Sequence, residues 1–570
     1  MNISQKHKIN QYDAIVIGSG MSGGWAAKEL CEKGLRTIVL ERGHDVKHVT
    51  DYTTAMTDPW NLPHHNRLPP AFREANPIVS KCYALDESTK HLFTMDDVQP
   101  YIQEKPYDWI RAYHTGGKSL LWARQVQRWS KYDFDGPARD GYAVPWPVSY
   151  NEMASWYSYV ERFAGISGNK DGLAGLPDGE FLPPFELNSV EKHLQKTLKE
   201  QYQDRDLIIG RCAHLTKPNK IHTDLGRGQC QARSLCYRGC PYGAYFSSQS
   251  ATLPAAARTG KLTLRPNSLV QSIIFDPKLN KATGVRVIDS ETKEMTEYFA
   301  KIIFVNASTI ASNALLLNST SSRFPAGLGN DSGTLGRYIA FHLYRGTVNA
   351  DVEGFEDKYY YGRRPTTGFM PRYQNVDKQE TDFLRGYLVA LSAGRSGWGS
   401  AGGQEGFGAD WKERNARPGP WNMFVMMQGE TIPKYENHIR LSADQKDKFG
   451  LPQIITSIGY DQNDEKMVKH FQDSATEMLE KSKIFKNIRQ NDSHQAPGLD
   501  IHEMGGCRMG ADPKTSVVNK WNQLHDCKNV FVTDGAAMTS TGTQNPSLTF
   551  MAFTARAAKY AVDELTKKNL

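Results

Sequence analysis

"YDAIVIGSGMSGGWAAKELCEKGLRTIVLERG", residues 12–43, reads as a strand, a tight turn, a helix and a second strand. The apolar run 14–17 suits a parallel strand buried on both faces. Gly18, Gly20 and Gly23 follow as G-x-G-x-x-G. The first glycine permits the turn, and the second lets the backbone approach a pyrophosphate. The third lets the helix pack on the sheet, its N-terminus toward the phosphates. The second strand, 37–40, ends at Glu41, whose carboxylate can accept hydrogen bonds from the adenosine ribose hydroxyls. These pieces fall in register, so the stretch predicts a dinucleotide site in an α/β domain. Whether the dinucleotide is FAD or NAD, the motif leaves open.

The rest of the chain sets the frame around that site. Its 570 residues suffice for two or more cores. With 39% hydrophobic and 23% charged residues, the composition is that of a soluble globular protein. The net charge of +7 is spread without a dense Lys/Arg block, which argues against nucleic acid as a partner. No apolar stretch approaches the ~20 residues of a membrane span. Ahead of the first strand there is neither an apolar h-region nor a small-residue cleavage site, so no export signal is expected in the chain. Eight cysteines are too few for a disulfide scaffold. "DQNDEKMVKH", 461–470, reads as a solvated helix face. "NHIRLSADQKDKFGLPQIITSIGY", 437–460, alternates like two strands around a turn. The Gly-rich stretch 392–411 is the expected mobile loop.

Near the C-terminus stand "HEMGGCRMG" from His502 and "NVFVTDGAAMTSTGTQNPSLTFMAFTARAAKYAVDEL" from Asn529. Upstream are "HTGGKSLLWARQ" from His114, "WPVSYNEMASWYSYVERFAGISG" from Trp146 and "IIFVNASTIASNALLLNS" from Ile302. In this order, and together with the nucleotide stretch, they resemble the glucose–methanol–choline (GMC) flavin oxidoreductases over nearly the whole chain. The resemblance implies FAD rather than NAD. It implies an α/β fold with a Rossmann-like FAD-binding domain built from discontinuous segments, 1–345 and 497–570. A mainly antiparallel β-sheet substrate domain with helices, 346–496, would cover the isoalloxazine. The family's catalytic pair falls on His502 and Asn545. Ser22, Arg42, Gly117, Ser119, Val270, Ala307, Asp534, Asn545 and Pro546 join Gly18, Gly20, Gly23 and Glu41 as the implied cofactor contacts. In related pyranose oxidases a histidine just before the Trp of this segment tethers the flavin. Here Leu121 precedes Trp122, so the FAD is expected to be non-covalent, or at least not attached there.

The chemistry gives these residue types independent sense. Oxidising an alcohol by hydride transfer to flavin requires removal of the hydroxyl proton as the C–H bond breaks. A neutral imidazole, with an ordinary pKa near ~6.5, can take that proton at neutral pH. Asn545 cannot act as a base, but it can hold the substrate oxygen by hydrogen bonds. His502 is then the sole proton acceptor of the pair. Gln428 and Asn437 could bond sugar hydroxyls and Trp421 could stack on a ring, although each has an ordinary structural role as its alternative.

"CQARSLCYRGCP", 230–241, places Cys230, Cys236 and Cys240 as C-x5-C-x3-C before a proline. Disulfides would leave one of the three over, and zinc would need a fourth ligand from elsewhere. C-x3-C-P is also how the bacterial ferredoxin run ends. Among GMC relatives, bacterial FAD glucose dehydrogenases and glucoside 3-dehydrogenases carry similarly spaced cysteines that hold a three-iron cluster. That resemblance implies a [3Fe–4S] metal site on Cys230, Cys236 and Cys240. The chain departs from the glucose dehydrogenase pattern at Gln231, where a second cysteine would stand. Cys31, Cys82, Cys212 and Cys527 read as buried small hydrophobes, and Cys507 as packing.

The nucleotide stretch and 114–136 look most like the catalytic subunit of glucoside 3-dehydrogenases. The implied reaction is oxidation of a sugar or glycoside secondary hydroxyl, at C3 of a glucopyranosyl unit. Electrons would leave through the cluster to a cytochrome c-type acceptor, with a small companion subunit. Co-export of the folded protein with a signal-bearing partner would place it in the periplasm; a cytoplasmic location is the alternative. The rivals are a pyranose 2-oxidase-like enzyme using O2 and a lyase holding FAD only structurally.

Overall fold

The computed structural model describes residues 10–358, 364–397 and 406–570. At its centre lies a five-stranded parallel sheet ordered Val530–Val532, Ile302–Val305, Ala14–Ile17, Thr37–Leu40, Leu262–Arg265. Ala14 pairs with Thr37 on one side and with Ile302 on the other. All four residues of Ala14–Ile17 and of Ile302–Val305 are buried. That is why both strands read as unbroken apolar runs rather than alternating ones.

Two helices cover this sheet and meet each other, Met21–Glu32 and Ser547–Thr566. A third, Tyr150–Ala164, buttresses the second. Its N-terminus carries a capping box in which the Glu152 backbone N–H donates to Ser149 Oγ and the Ser149 N–H donates to the Glu152 carboxylate. Gly165, left-handed at φ 79°, ends it. Tyr157 Oη lies 2.9 Å from Thr549 Oγ1, pinning the first turn of Ser547–Thr566. A half-buried meander, Ser268–Asp276, Lys281–Asp289 and Met295–Phe299, lies beside the parallel sheet.

A separate apolar core lies under a second, antiparallel sheet. Its order is Phe485–Asp492, Gly346–Val352, Trp421–Glu430, Tyr387–Arg395, Gly368–Met370, Ile208–Ile209, with His342–Leu343 also paired to Trp421–Glu430. Helices Ser189–Gln201 and Gln462–Lys481 pack on it through Leu194, Leu198, Phe471 and Met478. This core therefore draws on residues 187–209 as well as on the segment after 342. Helix Gln462–Lys481 buries Met467, Phe471, Ala475 and Met478 at helical spacing and turns its charges outward. The alternating stretch 437–460 does form a hairpin, His438–Lys446 with Pro452–Ser457. It belongs to a third sheet, with Arg337–Ala340, Met504–Gly506 and Ile102–Gln103, and so sits beside the segment that follows His502 rather than in the large antiparallel sheet. Of the expected mobile loop 392–411, residues 398–405 lie outside the described ones. Its two ends are the strand Tyr387–Arg395 and the helix Gly408–Asn415. Among the described residues no helix is long and apolar enough to cross a membrane.

Candidate active site

One large cavity of about 300 Å³ runs from the first parallel strand to the hairpin of the third sheet, which it meets at Leu441, Pro452 and Ile454. Gly18, Gly20, Ser22, Glu41, Arg42, Gly117, Ser119, Val270, Ala307, Asp534, Asn545, Pro546 and His502 all line it. Segments spread over more than 500 residues thus converge on one space. Gly23 stands behind the wall, packed on Gly18.

At one end the chain is shaped for a nucleotide. Gly18 has φ 93°, and a Cβ there would stand 2.4 Å from the Asn306 carbonyl oxygen, so only glycine fits the turn. A Cβ on Gly20 would point into open space, its nearest neighbour the Gly116 oxygen at 3.9 Å. The backbone is therefore bare where a pyrophosphate would approach the start of helix Met21–Glu32. Glu41 is buried at its strand end. It accepts hydrogen bonds from the Ser19 N–H (3.1 Å) and hydroxyl (2.5 Å), and from the Gly43 N–H (2.9 Å). Burial raises its pKa, with these bonds opposing. The Arg42 guanidinium lies 4.4 Å from the Tyr113 ring centroid, and its buried Nη2 has no hydrogen-bond partner within the protein. An orphaned cationic donor beside a glycine cradle fits a bound dinucleotide.

Further along, Asp534 caps the turn Gly535–Ala537, accepting from the Ala536 N–H at 3.0 Å and the Ser312 hydroxyl at 2.5 Å. Burial pushes its pKa up to about 6. Ser119 accepts from the Ser248 N–H at 3.0 Å and donates to the Gly116 carbonyl at 2.6 Å. Leu121, whose side chain has no nucleophile, stands in the wall ahead of Trp122. Pro546 and Ser547 bring the N-terminus of a 20-residue helix to the cavity, where its dipole favours negative charge.

At the far end the two members of the implied pair come together. Asn545 Nδ2 is 3.4 Å from His502 Nε2. His502 lines the cavity and is half-buried. Burial, with His342 and Lys118 nearby, holds its pKa well below the usual histidine value, so the imidazole is neutral. Its Nδ1 lies 2.9 Å from His342 Nδ1, the two rings nearly perpendicular. Asp500 accepts from the backbone N–H of both, at 3.0 Å for His342 and 3.2 Å for His502. Tyr344 closes the group at 6.0 Å from the His502 ring and donates to Gln428, whose Nε2 donates to the Thr543 carbonyl at 2.7 Å.

Sequence reasoning missed His342, Tyr344 and Asp500. "FHLY" places His342 and Tyr344 two apart, on one side of an extended segment, and Asp500 stands two before His502; these are weak signals by themselves. Gln428 belongs to this site through Tyr344. Asn437 does not: its amide exchanges hydrogen bonds with the Gly459 backbone. Trp421 is buried in the second core, its Nε1 donating to the Phe355 carbonyl, so it presents no face to a sugar.

Cys230, Cys236 and Cys240 line a second, small cavity of about 30 Å³ with His214 and Tyr245. His214 Nε2 is 3.7 Å from the Cys236 sulfur. Among the described residues, no three His, Cys, Asp or Glu side chains are grouped so as to hold a metal ion. Three thiols lining one small cavity are the donor type that an iron–sulfur cluster takes, but among the described residues they are not grouped to hold one. The two cavities are neighbours. Tyr83, in the wall of the large one, meets Tyr237 of the cysteine segment edge-on at 5.9 Å, and Arg124 lies 4.6 Å from the Tyr237 ring. Cys31, Cys82, Cys212, Cys507 and Cys527 are buried free thiols.

Two sequence models of the GMC oxidoreductases match, one over residues 145–343 and one over 433–554, together more than half of the chain. A 2-methyl-1,2-propanediol dehydrogenase of Mycolicibacterium austroafricanum is 28% identical, the alignment covering 97% of this chain and 95% of the relative. The fructose dehydrogenase large subunit of Gluconobacter japonicus is 25% identical over 97% of this chain and 98% of its own. Among solved structures, pyridoxine 4-oxidase from "Mesorbium loti" superposes with a TM-score of 0.60 at 15% identity, covering 97% and 99%. At that identity the likeness concerns the fold alone.

Proposed function

From the premise that this chain belongs to the GMC oxidoreductase family, whose members bind FAD and act on CH–OH groups, we propose that it is a sugar or glycoside dehydrogenase. The reaction is oxidation of a secondary hydroxyl, at C3 of a glucopyranosyl unit, to the ketone. The observation that carries it is His502 with Asn545 at 3.4 Å on the cavity wall. FAD held in the large cavity would supply the hydride acceptor. His502 Nε2 takes the hydroxyl proton, a contribution of roughly 10²–10⁴ in rate. Asn545 donates to the substrate oxygen and so fixes the hydroxyl against the base. The glycine cradle and Arg42, with its buried Nη2, hold the nucleotide end.

The catalytic reading is tested by anaerobic bleaching of the bound flavin with glucosides and with product analysis for the 3-keto sugar. Bleaching is expected in the unsubstituted protein and a rate loss of roughly 10²–10⁴ in His502→Ala. A His502→Ala protein that bleaches at the full rate removes the base. A keto group at another carbon moves the regiochemistry and leaves the alcohol chemistry standing.

The second part of the reading concerns the exit of electrons. Cys230, Cys236 and Cys240 would bind a [3Fe–4S] cluster, which supplies one-electron relay from a two-electron donor. Support comes from the shared small cavity next to the large one and from the spacing of the segment. A companion subunit and a cytochrome c-type acceptor go with it, as does export to the periplasm with a signal-bearing partner. The relative named a "large subunit" is in keeping with a multi-subunit assembly. Anaerobically purified protein should contain iron and sulfide in stoichiometric amount. Cys236→Ser should lose them while keeping flavin and its bleaching. Iron-free protein with flavin cancels this route, and rapid reoxidation by air with stoichiometric peroxide would favour an oxidase.

A further inference from the structure

His502 is connected to the protein through a second histidine, and the hydrogen bonds of that residue leave a single arrangement of protons. His342 is fully buried. Its Nε2 stands 3.2 Å from the Thr541 carbonyl oxygen and 3.0 Å from the Gly542 carbonyl oxygen. Carbonyl oxygens only accept, so His342 Nε2 carries a hydrogen. Burial pushes the pKa of this ring down to about 4, so the ring is neutral and has one N–H. Its Nδ1 is therefore a bare lone pair. That lone pair lies 2.9 Å from His502 Nδ1, which must be the donor. His502 is neutral as well, so its one hydrogen is spent there, and its Nε2 is left as the lone pair on the side of Asn545 and the cavity. Asp500 holds both backbones in this register by accepting from the two N–H groups.

We propose that His342 is a positioning residue that fixes His502 in its Nδ1–H tautomer, so that Nε2 is presented as the proton acceptor. The proposal rests on His502 being the base of the oxidation. With FAD bound as the hydride acceptor, His502 Nε2 would take the hydroxyl proton while the alcohol is oxidised to the ketone. The imidazolium so formed keeps its Nδ1–H on His342, so the proton acceptor gains its charge without breaking the contact that orients it. In the opposite tautomer Nε2 would carry the hydrogen, face the Asn545 amide donor and have nothing with which to take a proton.

The test uses the FAD-loaded protein labelled with 15N in its histidine rings, together with anaerobic flavin reduction. In the unsubstituted protein His502 should show a protonated Nδ1 and a bare Nε2. His342→Leu removes the acceptor. His502 is then expected to shift toward the Nε2–H form, and flavin reduction to slow by roughly 10²-fold, up to the ~10⁴ seen when a catalytic imidazole is left in the wrong tautomer. The substrate concentration for half-maximal reduction should change little. His342→Asn, whose side-chain oxygen can accept where Nδ1 stood, should restore most of the rate, and its flavin absorbance checks the fold. A wild-type tautomer and rate in His342→Leu, or a protonated Nε2 in the unsubstituted protein, overturns the proposal. The ring-nitrogen signals report the chain of bonds even if His502→Ala keeps full activity, so failure of the base and failure of its positioning are read separately.

Discussion

Replacing Asn545 by Asp would put a carboxylate where an amide now stands 3.4 Å from His502 Nε2, with almost no change in shape. At that separation two unit charges attract by about 5 kcal/mol at an effective dielectric constant of about 20. Burying the new carboxylate offsets part of this. A net rise of about 1–3 pKa units for the imidazole is expected, each unit corresponding to about 1.4 kcal/mol. The unsubstituted ring is held neutral mainly by burial, with His342 and the Lys118 ammonium acting in the same sense. Only a neutral ring accepts a proton, so raising its pKa moves the acid limb of the rate profile to higher pH. Below that limb the rate falls about tenfold for each pH unit. Anaerobic stopped-flow reduction of bound flavin across acid and neutral pH reads the limb directly. An Asn545→Asp protein that retains FAD and shows the unsubstituted acid limb would refute the electrostatic coupling, and with it the claim that His502 titrates in the reductive step.

Two further outcomes follow from other parts of the molecule. Gly18→Ala forces a side chain into a left-handed turn against the Asn306 carbonyl. It should cost roughly 1–3 kcal/mol in strain alone and release FAD, measured by thermal unfolding and free-flavin fluorescence. His342 has a folded pKa near 4, below its unfolded value, so the folded state binds fewer protons between there and about 6.5. Its contribution is complete above that window and is lost as pH falls through it; Asp500, raised to about 7, acts in the opposite sense. His342→Asn should therefore flatten the acid side of stability against pH by about one proton, read from denaturant midpoints, whereas an unchanged slope contradicts the buried neutral ring.

The nucleotide end was legible because its determinants are local. Gly18, Gly20 and Glu41 lie within one strand–turn–helix–strand unit, and each has one mechanical reason for its residue type. His502 and Asn545 are 43 positions apart, and only the family pattern joined them in the sequence. His342 escaped because its role is purely tertiary: it sits 160 positions from His502, on a two-residue strand with no periodic signal. The same holds for Ile208–Ile209, too short to announce that it completes the antiparallel sheet. Trp421 failed as a sugar platform for a different reason. An indole near the start of a central strand is as readily a core residue, and here its neighbours are apolar on the inward face.

In the parallel sheet Ile302–Val305 lies between the first strand, Ala14–Ile17, and Val530–Val532, and the cavity wall ends at residues 545–550. During translation the free edge of Ile302–Val305 therefore waits for Val530–Val532 to be made. The cavity is walled in full only once residues 545–550 follow. Chains cut short before Ser547–Thr566 should emerge colourless, which makes flavin uptake a late checkpoint in folding.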